Sequence, residues 1–332
     1  MALDRLLPIR SHQVSTINRR QALALALTTA MPTAVFSQPG GAGFGKQERD
    51  ALNLARAAAS GSPGAADKLK RQANTGDRWA AMQYGWLAHT GQMPNRLGRD
   101  MELAMRAYNL SCKVVGENQE LISLSGNQIA AYNAGLAYYA GQVEGKRDPF
   151  AAIKWFRAAS GEEGGKLPFY PAYVYLAKIY ENGEGVPVNL PEAARYWTAA
   201  AAQREPTALY TKGKMLIEGV GVGKNYFEGF TLLLRAADQW QIDAIYMLAQ
   251  IYANGNFAHD RNDLEATKWI QIAASKDERY RKLADQMNAK LSPADQKKAR
   301  AASVNWMRSH MKAPDPFDYN LPINAPPPRR GI

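Results

Sequence analysis

"AYVYLAKIYENGEGVPVNLPEAARYWTAAA", Ala172 to Ala201, decides the fold of this 332-residue chain. The stretch holds no His, no Cys and no pair of carboxylates at catalytic spacing. What it holds is a pattern of small, aromatic and glycine residues. Ala172 is followed by Leu176-Ala177, Tyr180, Gly183, Gly185, Asn189, Ala193, Tyr196-Trp197, Ala200 and Ala201. The pattern returns 36 residues on, with Ala208, Gly213, Leu216, Gly219, Gly221, Asn225, Gly229, Leu232-Leu233, Ala236 and Ala237. It returns again after 36, with Ala244, Leu248-Ala249, Tyr252, Gly255, Asn262, Ala266, Trp269-Ile270, Ala273 and Ala274. Two earlier copies start at Ala130 and Ala80, and their greater spacings of 42 and 50 residues fall in loops, where added length is tolerated.

Each spacing has a physical reading. Counted from the leading Ala, positions 0, +4 and +8 share one face of a first helix. The small residue at +5 lets a neighbouring helix approach closely. Gly at +11 and +13 ends the helix, because glycine tolerates the left-handed conformation found at C-termini. The Asp or Asn that follows caps the open N–H groups of a second helix. That helix buries Ala, a large pair and Ala again along one stripe. One unit is therefore a helical hairpin, and five in series make an array.

These residues carry a resemblance. The pattern A-x3-L-[GA]-x2-Y-x2-G-x-G-V-x2-[DN]-x3-A-x2-[WY]-[WYF]-x2-A-A resembles the Sel-one-like repeat, a relative of the tetratricopeptide repeat. It covers roughly residues 48–275, and Ala66, Leu69 and Ala73 read as the second helix of a still earlier unit. The resemblance implies an all-α fold, a right-handed α-solenoid of about five to six helical hairpins, used to bind proteins or to scaffold complexes.

The flanks read differently. Residues 1–37 look like an export signal: Arg19-Arg20 precede a short apolar run from Ala22 to Phe36, and Val35 and Ser37 suit a cleavage site before Gln38. The run is shorter than the ~20 residues of a membrane span. The segment resembles a twin-arginine signal, although Asn18 and Ala22-Leu23 depart from that pattern. The expected location is periplasmic or secreted. Residues 38–47 are a Gly-rich linker. Residues 276–312 break the period and read as two capping helices, the second starting at Ser292-Pro293, and residues 313–332 form a Pro-rich tail.

Charge and chemistry narrow the function. The net charge is +11, and residues 276–312 alone carry ten Lys/Arg against four acids. The basic C-terminal helices are expected to give weak contact with an anionic envelope surface. Acids interrupt the basic residues, so nucleic acid is not an expected partner. Single Cys112 reads as a small buried residue. "GVGVGK", Gly219 to Lys224, lacks the spacing and hydroxyl of a phosphate loop. Ser309-His310-Met311-Lys312 fits S-x-x-K without the companion motifs of penicillin-recognising enzymes. His12, His89, His259 and His310 are scattered, and "HDRND" at 259–263 lacks a calcium-loop spacing, so no metal or cofactor is expected.

The expected function is that of an exported interaction or scaffold module, not an enzyme; a cell-envelope enzyme or glycan-binding protein is the alternative. In related solenoids the first helices line the concave face. The row that points there reads Trp79, Met82, Gln83, Trp86 and His89, then Tyr132, Asn133 and Tyr139, then Tyr175, Lys178, Glu181 and Asn182. It ends with Tyr210, Lys214, Glu218, Tyr246, Gln250 and Asn254. Of these, Trp79, Gln83, Trp86, Tyr132, Asn133, Tyr175, Lys178, Tyr210, Lys214, Tyr246 and Gln250 are the expected partner-binding residues. Tyr and Trp offer large contact area with few rotors. Several of the tyrosines are equally expected to pack between hairpins.

Overall fold

The computed structural model describes residues 45–94, 98–115, 121–123, 127–162, 169–255 and 260–310. The stretches read as an export signal (1–37) and a Pro-rich tail (313–332), and most of the stretch read as a Gly-rich linker (38–47), lie outside them. Two helices, α1 (Lys46–Ala59) and α2 (Ala65–Asn74), precede the first full repeat. Leu69 and Ala73 are buried on α2, which is the helix read from Ala66, Leu69 and Ala73, with Ala65 rather than Ala66 as its third buried residue. Five hairpins follow: α3 (Arg78–Thr90) with α4 (Met101–Cys112), α5 (Gln128–Tyr139) with α6 (Pro149–Ser160), and α7 (Tyr170–Asn182) with α8 (Leu190–Ala202). Then come α9 (Pro206–Glu218) with α10 (Tyr226–Ala237), and α11 (Ile242–Asn254) with α12 (Asp263–Lys276). A 3-10 turn at Glu278–Tyr280 leads into α13 (Arg281–Ala289) and α14 (Pro293–Ser309). The fold is an all-α array of helical hairpins. Among the described residues, the one exception to helix is a short antiparallel pairing of Val114–Val115 with Leu121–Ser123 between α4 and α5.

The helix ends stand where the period puts them. Gly91 and Gly219 close α3 and α9 in the left-handed conformation, at φ of 75° in each case. All five second helices start on a side-chain cap: Asp100, Asp148, Asn189, Asn225 and Asn262 each accept the N–H of the residue three positions on. A cap of this kind contributes roughly 1 kcal/mol. The small residue at +5 also has its reason. A Cβ on Gly85 would stand 2.9 Å from the Tyr108 ring, and one on Gly135 2.7 Å from the Phe156 ring. The ring of the second helix lies where the first helix lacks a side chain.

The chain divides into two compact units within α7. One ends at Ile179 and also holds Glu184–Val186; the other holds Tyr180–Gly183 and continues from Pro187. In the N-terminal unit, α3 packs on α1, α2 and α4, α4 on α5, and α5 on α6. In the C-terminal unit each helix from α8 to α12 packs on the next, and α13 and α14 cover α12. Ala299 and Ser303 are the buried residues of α14, so the cap presents a narrow small-residue stripe and keeps its charges in solvent. Such a polar-faced end is what a repeat array needs to close its last apolar edge.

The cores take side chains from both helices of each hairpin, with Met82, Leu87, Leu176, Ile179, Leu209 and Ile245 buried on the first helices. Tyr108, Phe156, Tyr196, Trp197 and Leu233 are among the largest fully buried side chains. Cys112 is buried, its Sγ–H donates to Asn127 O at 3.3 Å, and burial pushes the thiol up to about 12.

Candidate functional site

In the N-terminal unit the first helices present two kinds of surface. Trp79 and Trp86 on α3 are half-buried, whereas Met82 and Gln83 are closed off, Gln83 being 1% exposed. An occupant of this face therefore meets the two indoles and not the Gln83 amide. Tyr132, Tyr139 and Tyr175 form an aromatic layer over Phe156. Tyr175 stacks on Phe156 at 5.0 Å, Tyr139 meets Tyr175 at 5.3 Å, and Tyr132 meets Tyr175 at 5.9 Å. These three tyrosines pack against their neighbours and remain half-exposed, so each belongs both to packing and to the surface. Asn133 is half-buried beside them and Lys178 is exposed. Burial and the Glu184 carboxylate push the Tyr139 phenol up to about 12.

His89 sits behind this face. Its Nε2–H donates to Gln142 Oε1 at 2.6 Å, and its Nδ1 accepts from the Tyr108 hydroxyl at 3.1 Å. The neutral ring is satisfied on both sides. Burial, opposed by the Gln142 bond and aided by the Arg99 charge, lowers its pKa below the ordinary 6.5. The sign follows directly: the unfolded chain takes up the proton first, so stability falls as pH drops below about 6.5 and the fall stops below the folded-state value. Urea unfolding between pH 8 and pH 5 is expected to show this slope, and His89→Gln to flatten it. An unchanged slope in His89→Gln would place the titrating group elsewhere.

In the C-terminal unit Tyr210 and Lys214 on α9, and Tyr246 and Gln250 on α11, are all half-buried. Tyr246 stacks on Tyr280 of the capping turn at 4.7 Å. Asn182, Glu218 and Asn254 are exposed at the helix ends. Burial raises the Tyr210 phenol above its ordinary value, and the charges of Asp243, Glu218 and Glu181 raise it further. Glu181 is held in place, since Trp197 Nε1–H donates to its Oε2 at 3.1 Å.

Sequence reasoning missed three features. Asp243 holds the −1 position that Trp79 holds in the first unit and was left out of the row, and Tyr280, which stacks on Tyr246, lies beyond the period. A cleft of about 660 Å³ opens in the N-terminal unit, lined by Met101, Met105, Leu110, Tyr138, Val143 and Trp155. It lies along the second helix α4 rather than the first-helix row. The Met101, Met105 and Leu110 spacing on one helix was the available signal.

Among the described residues, no helix is long and apolar enough to cross a membrane, and no three His, Cys, Asp or Glu residues gather where they could hold a metal ion. Fold and surface together define a helical-repeat protein. The family model described as the Sel1 repeat matches residues 128–161, 171–204, 208–239 and 242–278, which are the second to fifth hairpins. The structure of a Sel1 repeat protein from Oxalobacter formigenes is similar, with a TM-score of 0.50 at 19% identity over 78% of this chain and all of that one. A protective antigen of uropathogenic Escherichia coli, with an SLR fold, gives a TM-score of 0.47 at 19% identity over 88% of this chain and 64% of that one. An Arabidopsis thaliana protein, the ERAD-associated E3 ubiquitin-protein ligase component HRD3B, is 31% identical over 101 residues. That match covers 30% of this chain and 15% of the relative.

Proposed function

We propose that this protein is an exported interaction module that holds a segment of a partner protein against the first-helix face of its repeats. One observation carries the reading: partly exposed aromatic residues recur on the first helices of each unit, Trp79 and Trp86 in one and Tyr210 and Tyr246 in the other. An array with a purely spacing role has no use for aromatic surface at these positions. Large rings left partly exposed beside amide and charged groups are the composition of protein-binding anchors. The similarity to a ligase component agrees with work done through other proteins.

The double variant Tyr210→Ala with Tyr246→Ala is expected to keep most of its stability and to lose about 1–2 kcal/mol of partner binding for each anchor. A pull-down from envelope extracts, run beside thermal melts of wild type and variant, checks it. Equal capture by both proteins would move the functional surface away from this face. Export is part of the proposal. The mature protein in the envelope fraction should begin near Gln38, and mass spectrometry of an intact N-terminus there would contradict it.

A further inference from the structure

On three of the second helices the outer charges are paired along the helix. Arg106 binds Glu102 at 3.2 Å on α4, Arg195 binds Glu192 at 2.7 Å on α8, and Lys268 binds Glu265 at 2.9 Å on α12. The last helix, α14, breaks this habit. Its one acid, Asp295, lies in the first turn, where it accepts from Ser292 at 2.9 Å and from Lys298 at 3.0 Å. Lys297, Arg300 and Arg308 have no such carboxylate. Among the described residues none of the three forms an ion pair, and all three are exposed.

The three cations line up. Arg300, Val304 and Arg308 follow Lys297 at +3, +7 and +11, so they share the side of α14 turned away from buried Ala299 and Ser303. The stripe is roughly 16 Å long at ~1.5 Å per residue. Its surroundings have the same sign. Asp277 is held by Arg279 at 2.8 Å and Glu278 by Arg281 at 2.6 Å. Asp285 is then the one acid left against Lys276, Lys282, Lys290 and the stripe. Packing does not call for these cations, since α14 covers α12 with its other side. Between them the face offers Ala301, Val304 and Asn305 and no aromatic ring. Protein-binding hot spots are built around desolvated Trp and Tyr rings. An anionic bilayer asks only for cations on long stems that reach phosphate. We infer that the outer face of α14 docks on a membrane surface rich in anionic phospholipid, with Lys297, Arg300 and Arg308 against the phosphates. This surface is distinct from the first-helix face, and docking here would tether the module at a membrane whatever that face holds.

Vesicles of phosphatidylcholine alone, and of phosphatidylcholine mixed with phosphatidylglycerol, are sedimented with the mature protein at low and high salt. The protein is expected to bind the anionic vesicles and not the neutral ones, and to bind less as salt rises. Lys297→Gln, Arg300→Gln and Arg308→Gln should each weaken binding about five-fold, and the triple variant roughly a hundred-fold. Arg56→Gln with Lys68→Gln and Lys70→Gln removes the same charge from exposed positions on α1 and α2, and should leave binding within about two-fold. Circular dichroism confirms that the variants are folded. No binding to anionic vesicles, equal binding to neutral ones, no effect of the triple variant, or an equal loss in the α1–α2 variant overturns the inference. So does a polyglutamate peptide that binds through the same three cations while the vesicles do not, which would give this face to an acidic protein segment. The pull-down through Tyr210 and Tyr246 is read separately, so tether and module can each fail alone.

Discussion

Replacing Trp197 by alanine is expected to cost about 3–5 kcal/mol of stability, the range for a large aromatic removed from a core. Trp197 is 2% exposed and is the bulkiest of the fully buried side chains among the described residues. It lies on α8 between Ala193 and Ala200, which are themselves fully buried and too small to refill the space. The loss has a second part. Trp197 Nε1–H is the donor to Glu181, so alanine also strips that carboxylate of its partner and frees it to move. In a repeat array a damaged hairpin weakens its contacts with both neighbours, so the cost is not confined to α8. Urea unfolding of wild type, Trp197→Ala and Trp197→Phe tests the argument. Phenylalanine should recover much of the packing and none of the hydrogen bond. A Trp197→Ala variant within 1 kcal/mol of wild type would mean that the second-helix stripe is not where stability resides.

How far such arguments can be made from sequence depends on whether the cause is local. Helix ends were legible because their causes lie within a few residues: Gly91 and Gly219 terminate helices by their own backbone freedom, and Asp148 or Asn225 caps the helix it begins. The aromatic stripe on the second helices was legible because its spacing points one way. The first-helix face was only partly legible. Spacing sets the direction of a side chain from its own axis, and not what a neighbouring helix lays over it. Gln83 occupies the same +3 position as Asn133, yet Gln83 is covered and Asn133 is only half-buried. Tyr132 and Tyr139 share a hairpin with Phe156, but Tyr175 comes from the next one, and its packing over Phe156 is a contact between hairpins that no single period encodes. The same holds for Tyr280, which joins Tyr246 from outside the repeat, and for the α4 cleft, whose other wall comes from the next hairpin.

The second glycine of the turn makes the sharpest case. Gly221→Ala is expected to destabilise the protein by roughly 2–4 kcal/mol, from two separate causes. Gly221 sits at φ of 70°, where an L side chain costs roughly 1–2 kcal/mol. Its Cβ would also meet Leu190 O at 2.5 Å and Leu190 C at 2.8 Å, so the turn after α9 could not rest on the start of α8 without moving. The obstacle is backbone, which cannot rotate away. Gly185 occupies the equivalent turn at φ of 73°, but its nearest neighbour, Phe150 N, is at 3.1 Å. Gly185→Ala should therefore cost the conformational part and less of the steric part. Gly223, two residues from Gly221, has nothing within 4 Å and is not at positive φ. There alanine should be neutral or stabilise by up to about 1 kcal/mol, through a less flexible unfolded chain. Urea midpoints for the three variants are expected to rank Gly221→Ala lowest, then Gly185→Ala, then Gly223→Ala at or above wild type. If Gly221→Ala and Gly223→Ala were equal, the repeat's second glycine would serve flexibility alone, and the close seating of one hairpin's turn on the helix before it would not hold.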